Sequence, residues 1–287
     1  MKVFSYLFIL VATGSMLLSS CMGKNSGRVA FPTDSVMFKN VILVDSVCFS
    51  DAVNAVSKIK VKVNIDLLQH YKDTAAFADF KSHFIKFLFG VDTVCANSEE
   101  DVNVYVKSFF NNFRSADSLA IGGLDGKFLD VEELEGVPEC LLDAEINVFN
   151  VYNKSGIVSV CKEKILHFEN QEKSVEHYYM NYNLKRQEVI DLASLFNVEN
   201  YEDLNVMLRR KLMADNNAES EDDLISCGYF NLDNLAVTDN FKITDNGVVW
   251  CYQPLEIGCF SVGETEILLE FNELKQYMTE ESATALN

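Results

Sequence analysis

The chain has 287 residues, 48% of them hydrophobic, which is enough for one large domain or two small ones with a full apolar core. Its 43 acidic side chains against 24 basic ones give a formal charge of −19. That excludes nucleic-acid binding through a basic face, since neutralising phosphates needs clustered Lys and Arg, while it suits a basic protein partner.

The first 20 residues carry one Lys near the start, an apolar run from Val3 to Ala12, and the ending Leu18-Ser19-Ser20-Cys21. A charged start, a short apolar core and a small-residue cleavage site make a secretory signal peptide, and the core is too short to span a bilayer. The ending resembles a bacterial lipobox, in which the Cys becomes the acylated first residue. Cys21 is therefore the expected lipidation site, and several acyl chains would hold the protein on a membrane without a spanning helix. Residues 21–37 read as that lipidated start and a flexible tether.

Residues 41–50 and 58–67 are the first two expected strands. In the second, Ile59, Val61, Val63 and Ile65 alternate with Lys58, Lys60, Lys62 and Asn64, as in an antiparallel sheet with one wet face. Thr74–Phe89 places Phe77, Phe80, Phe84, Phe87 and Leu88 at helical spacing before Gly90. A second helix is expected from Ser98 to about Arg114, and Gly122-Gly123-Leu124-Asp125-Gly126 reads as a turn, since it lacks the Lys-Ser/Thr of a phosphate loop. A meander of strands follows at 140–152, 157–168 and 175–184, with a turn at Asn153-Lys154-Ser155-Gly156.

Past it, 201–213 is a helix with Leu204, Met207, Leu208 and Leu212 inward, and the charged stretch 215–223 is a loop. Asn246-Gly247 between Phe241/Ile243 and Val248/Trp250/Tyr252 predicts a type I′ hairpin. A Pro254-containing turn, a strand at 265–271 and a short helix bearing Leu274, Tyr277 and Met278 complete the pattern. No linker-like tract divides the chain. The expected fold is α+β, with antiparallel sheets, packed helices and two intimately associated lobes at 38–139 and 140–279, then a disordered tail at 280–287.

The chain has no GxSxG, HExxH, Walker or kinase motif, and no cofactor is expected. His167 and His177 flank a turn and could face each other, but spacing names no third ligand, so no metal site is assigned. Seven cysteines follow Cys21 with no CxxC among them. Cys251 and Cys259 are the one candidate disulfide pair. Five Asp-Ser/Thr-aliphatic triplets, at Ser35, Ser46, Thr74, Thr93 and Ser118, match a Bacteroidetes O-glycosylation pattern.

Two stretches resemble a known family. The run Asn240-Phe241-Lys242-Ile243-Thr244, Gly247, Trp250-Cys251-Tyr252, Glu256-Ile257 and Gly263 is similar to the domain of unknown function 3298 (DUF3298). Ile157-Val158-Ser159-Val160, His177, Tyr182-Asn183-Leu184 and Ile190-Asp191-Leu192 look like the segment before it. Residues 38–68 resemble the companion DUF4163 more weakly. Val175 and Glu176 stand where the family has a glycine pair, and Leu255 stands where it has a second Tyr.

The resemblance implies an envelope binding module, by likeness to the extracellular part of the lysozyme-sensing anti-sigma factor RsiV, with a basic protein such as lysozyme or peptidoglycan as ligand. The expectation is thus a non-enzymatic lipoprotein on the periplasmic face of a Gram-negative outer membrane. Candidate ligand contacts are Tyr252, Pro254, Glu256, Phe260 and His177. The alternatives are an envelope enzyme acting on glycan through His177 and nearby acids, and an assembly lipoprotein with a stable protein partner.

Overall fold

A computed structural model describes residues 35–51, 56–89, 126–129, 139–168 and 172–286. The expected signal peptide, Cys21, most of the expected tether, the helix expected at 98–114 and most of the glycine-rich turn lie outside them. Seven strands form one sheet in the order β3-β1-β2-β4-β5-β6-β7: β1 (Met37–Asp51), β2 (Val56–His70), β3 (Gly126–Leu129), β4 (Glu139–Lys154), β5 (Ile157–Phe168), β6 (Ser174–Asn183) and β7 (Glu188–Ile190). The alternation read in β2 holds, with Val61, Val63 and Ile65 buried between half-exposed Lys60, Lys62 and Asn64. The sheet is mixed rather than wholly antiparallel, because β2 pairs with β4 in parallel. Side-chain alternation is the same in both arrangements, so it carries no information on strand direction.

Helix α1 (Thr74–Phe89) lies on one face of this sheet. Asp73 caps it by accepting from the amides of Ala75 and Ala76 at 2.9 and 3.1 Å. At its other end Lys162 donates to the carbonyl of Phe87 at 2.9 Å, placing a cation at the negative pole. Phe80 and Phe84 are fully buried, and Phe80 stacks on Tyr182 of β6 with ring centroids 4.7 Å apart. Burying each such ring stabilises the fold by about 1.5–3 kcal/mol. This first core runs from Val36 to Leu184.

The opposite face of β5 and β6 meets a second sheet of order β10-β9-β8, made of β8 (Phe241–Ile243), β9 (Gly247–Tyr252) and β10 (Thr265–Glu270). Its inner side packs on α2 (Leu192–Leu195), α3 (Tyr201–Asp215), α4 (Glu221–Ser226) and α5 (Phe271–Leu274). Leu204, Leu208 and Leu212 of α3 and Trp250 of β9 are the centre of this second core. The architecture is α+β, as the sequence indicates. Asn181 of β6 ties the two sheets together: its amide donates to the Phe241 carbonyl at 2.7 Å, and its carbonyl accepts from Ser159 Oγ at 2.5 Å and from the Ile243 amide at 3.3 Å.

Three local expectations need correction. The 244–247 turn closes a hairpin, yet none of its residues has the positive φ that a type I′ turn requires. Thr244 closes it instead, its hydroxyl accepting from the amides of Asn246 and Gly247 at 3.3 and 3.1 Å. Gly247 is needed for another reason: a Cβ there would lie 2.1 Å from the Leu269 carbonyl oxygen of β10. The paired positive φ values fall at Ser155 and Gly156, in the turn between β4 and β5.

The stretch 215–223 is not all loop, because Ser220 and Asp223 form a capping box that starts α4. The expected disordered tail contains α6 (Glu280–Ala285), capped by Thr279 and held by Ser282 Oγ donating to the Ser194 carbonyl at 2.8 Å.

Candidate functional site

Next to Asn181, polar side chains from both sheets meet in the seam between them. From β5 and β6 come the cross-strand pairs Cys161/Tyr179 and Glu163/His177. From the small sheet come Lys242 of β8, and Cys251 of β9 opposite Glu266 of β10; Glu264 joins them from the loop immediately before β10. His177 Nδ1 meets Glu264, and its Nε2 lies 3.1 Å from Glu163. Glu163 is itself held by Asn147 at 2.6 Å. The other oxygen of Glu264 accepts from the Cys251 thiol. Lys242 donates to Glu266 and, at 3.4 Å, to the Tyr179 hydroxyl.

The electrostatics follow from this packing. The Glu264 hydrogen bond, aided by Glu163 and opposed by burial, holds His177 above the ordinary imidazole range. Burial alone would raise Glu264, but its bonds from His177 and Cys251 outweigh that and leave it below the usual carboxylate range. Burial pushes the Cys161 thiol up to about 12 and raises Cys251 further, so both are neutral thiols near pH 7. With both imidazole nitrogens engaged by carboxylates, His177 presents neither to a substrate.

Beside the seam, the free edge of β6 is covered by side chains rather than by a strand. Asn240 accepts from the Tyr179 amide at 3.1 Å and donates to the His177 carbonyl at 3.0 Å. Gln253 accepts from the His177 amide at 3.2 Å and donates to the same carbonyl. These amides do the work of a neighbouring strand and close an edge that would otherwise invite pairing.

Gln253 also begins the loop between β9 and β10. Its carbonyl accepts from the Glu256 amide at 3.0 Å across Pro254 and Leu255, and Leu255 has φ of +70°. Pro at the second position and positive φ at the third are the pattern of a type II turn, whose third position ordinarily takes Gly or Asn. Leu255 is 59% exposed and Phe260 43%. The base of the loop is fixed: Tyr229 pairs with Gly258, and the amides of Phe230 and Cys259 donate to the Ile257 and Gly228 carbonyls at 2.9 and 2.8 Å.

The structure separates the sequence-derived candidates. Tyr252 is buried, its hydroxyl donating to the Ala236 carbonyl at 2.9 Å, so it packs rather than faces solvent. Pro254 is half-buried, while Glu256 and Phe260 are exposed on the loop. Glu256 accepts from the Gln253 amide at 2.8 Å. His177 is joined to this loop through Gln253, but it does not face His167, which lies opposite Asp143 on another strand pair. Cys251 and Cys259 are both free thiols with separate partners, Glu264 and Ser261.

The groups missed from sequence are Glu163, Tyr179, Lys242, Glu264 and Glu266. Strand registers bring Glu163, Tyr179, Lys242 and Glu266 together, and the loop before β10 brings Glu264 to them.

This is the fold of known DUF3298 proteins. A member of that family from Bacteroides fragilis NCTC 9343 superposes with a TM-score of 0.70 at 16% identity, covering 87% of this chain and 96% of the other. A DUF3298 family protein from Pseudomonas aeruginosa PAO1 gives 0.51 at 10% identity, over 85% and 96%. Residues 193–272 match the family model described as protein of unknown function DUF3298, so the chain carries that domain there. The matched segment includes the loop, Cys251 and Glu264, and it does not extend to residues 38–68. No curated protein matches the sequence.

Proposed function

We propose that this chain is a lipid-anchored envelope protein that binds a cationic protein and carries out no chemistry on it. Cys21 after the signal-like segment would supply the anchor. The observation carrying the reading is the β9–β10 loop, where Leu255 and Phe260 stand exposed beside Glu256 on a base held by buried Ile257 and by Gln253. Leu255 occupies a left-handed backbone position that costs a branched residue about 1–2 kcal/mol, and strain kept on an exposed apolar side chain favours a contact role over a packing one. The acidic chain supplies long-range attraction for a basic partner such as lysozyme, and the apolar pair supplies contact area that salt does not screen.

Titrating the detergent-solubilised full chain with a cationic lysozyme at physiological salt tests this. Saturable binding that survives moderate added salt is expected, weakened about tenfold or more in Phe260→Ala. Leu255→Gly separates binding from stability: it is expected to raise thermal stability slightly by relieving the backbone and to weaken binding. No saturable binding by the parent protein would refute the proposal for this ligand.

A further inference from the structure

We infer that Cys251, Glu264 and Glu266 form a binding site for a single divalent transition-metal ion of borderline softness, with His177 orienting one of its ligands. On metal binding the Cys251 thiol would release its proton to solvent, and its sulfur with one oxygen from each glutamate would then serve as donors; these atoms all lie within 4.8 Å of one another. Zinc bonds of roughly 2.0–2.3 Å to oxygen and sulfur would draw them closer by small side-chain rotations and leave a fourth tetrahedral position for water.

A strand pairing places two of the three ligands, and the third is half-buried beside them. Cys251 and Glu266 are direct cross-strand partners in the β9–β10 pairing, and Glu264, in the loop immediately before β10, is hydrogen-bonded to Cys251. Cys251 is only 1% exposed, so its sulfur is held inside the seam rather than on the surface.

Three features distinguish this set from a patch of surface acids. A sulfur donor selects zinc-like ions over calcium and magnesium, which take oxygen alone. The second oxygen of Glu264 is held by His177, and His177 is held in turn by Glu163. That is a chain of outer partners of the kind that fixes ligands around metals. The seam also contains three carboxylates, Glu163, Glu264 and Glu266, against the cations His177 and Lys242. Lys242 sits on Glu266 and competes with a metal for it, so binding would shift Lys242 onto Tyr179 alone. A metal here would clamp the start and the end of the β9–β10 loop to each other. Metal binding at these three side chains is independent of what that loop binds.

The experiment uses the full chain stripped with a chelator and titrated with Zn²⁺ and Co²⁺. One equivalent of Zn²⁺ is expected to bind, and Co²⁺ is expected to give a near-ultraviolet sulfur-to-metal charge-transfer band. Cys251→Ser should abolish that band and weaken Zn²⁺ at least about tenfold. Glu266→Gln, at an exposed position where folding is not in question, should weaken Zn²⁺ while keeping the band. Lack of stoichiometric Zn²⁺ binding by the parent chain, or binding unchanged in both variants, would overturn the inference. A site lost only in variants that also lose their far-ultraviolet circular dichroism would be judged on Glu266→Gln. Lysozyme titration of the same variants distinguishes failure here from failure of the binding function.

Discussion

His177 shows how a single side chain can be assigned a role only when its neighbours are known. Its bond to Glu264, with Glu163 behind it, raises its pKa in the folded protein. A raised folded-state value means that the native state holds the proton more tightly than the unfolded chain. The resulting stability is fully present below the ordinary histidine value and is lost as pH rises through the folded one. With a chelator present, thermal stability is expected to fall with pH on the alkaline side of the usual histidine range, and His177→Gln should flatten that slope. An identical pH profile in the variant would show that another group governs it.

At the scale of elements, the joint between the sheets depends on Asn181, whose amide serves two backbone groups and a hydroxyl in a place water does not reach. Asn181→Ala would leave these groups unpaired, at about 2–4 kcal/mol in all. Urea unfolding should show a lower midpoint with an unchanged slope; a shift under about 0.5 kcal/mol, no more than an ordinary surface substitution produces, would mean the sheets are held otherwise.

Elements of this kind were largely legible from sequence where burial is one-sided. The Phe77-Phe80-Phe84 spacing foretold α1, and the alternation around Val61 and Val63 foretold β2. The Asn246-Gly247 hairpin was found for a partly mistaken reason, since the glycine there answers to close approach by Leu269 rather than to turn geometry. The seam was not legible. Glu163 meets His177, and Cys251 meets Glu266, through registers that depend on where each strand begins, and a shift of one residue would turn every one of these side chains to the opposite face.

For the molecule as a whole, the carboxyl end is structural. Ala283 and Leu286 pack on the second core, and Ser282 is buried against Ser194. Deleting residues 280–287 is expected to cost about 1–2 kcal/mol through lost apolar burial, read as a lower melting temperature. An unchanged melting temperature would return those residues to the status of a tail.

The parallel join between β2 and β4 has a consequence for how this polypeptide reaches its native state. Ser57 must find Glu139 and Ile65 must find Val148 across all the intervening chain, including α1, whereas β4–β5–β6 and β8–β9–β10 arise from near neighbours. Closing so long a span costs entropy before any pairing repays it. The two meanders should therefore assemble early, with the amino-terminal hairpin docking last. Until it docks, the bare flank of β4 is the surface at which nascent molecules would stick to one another or require a chaperone.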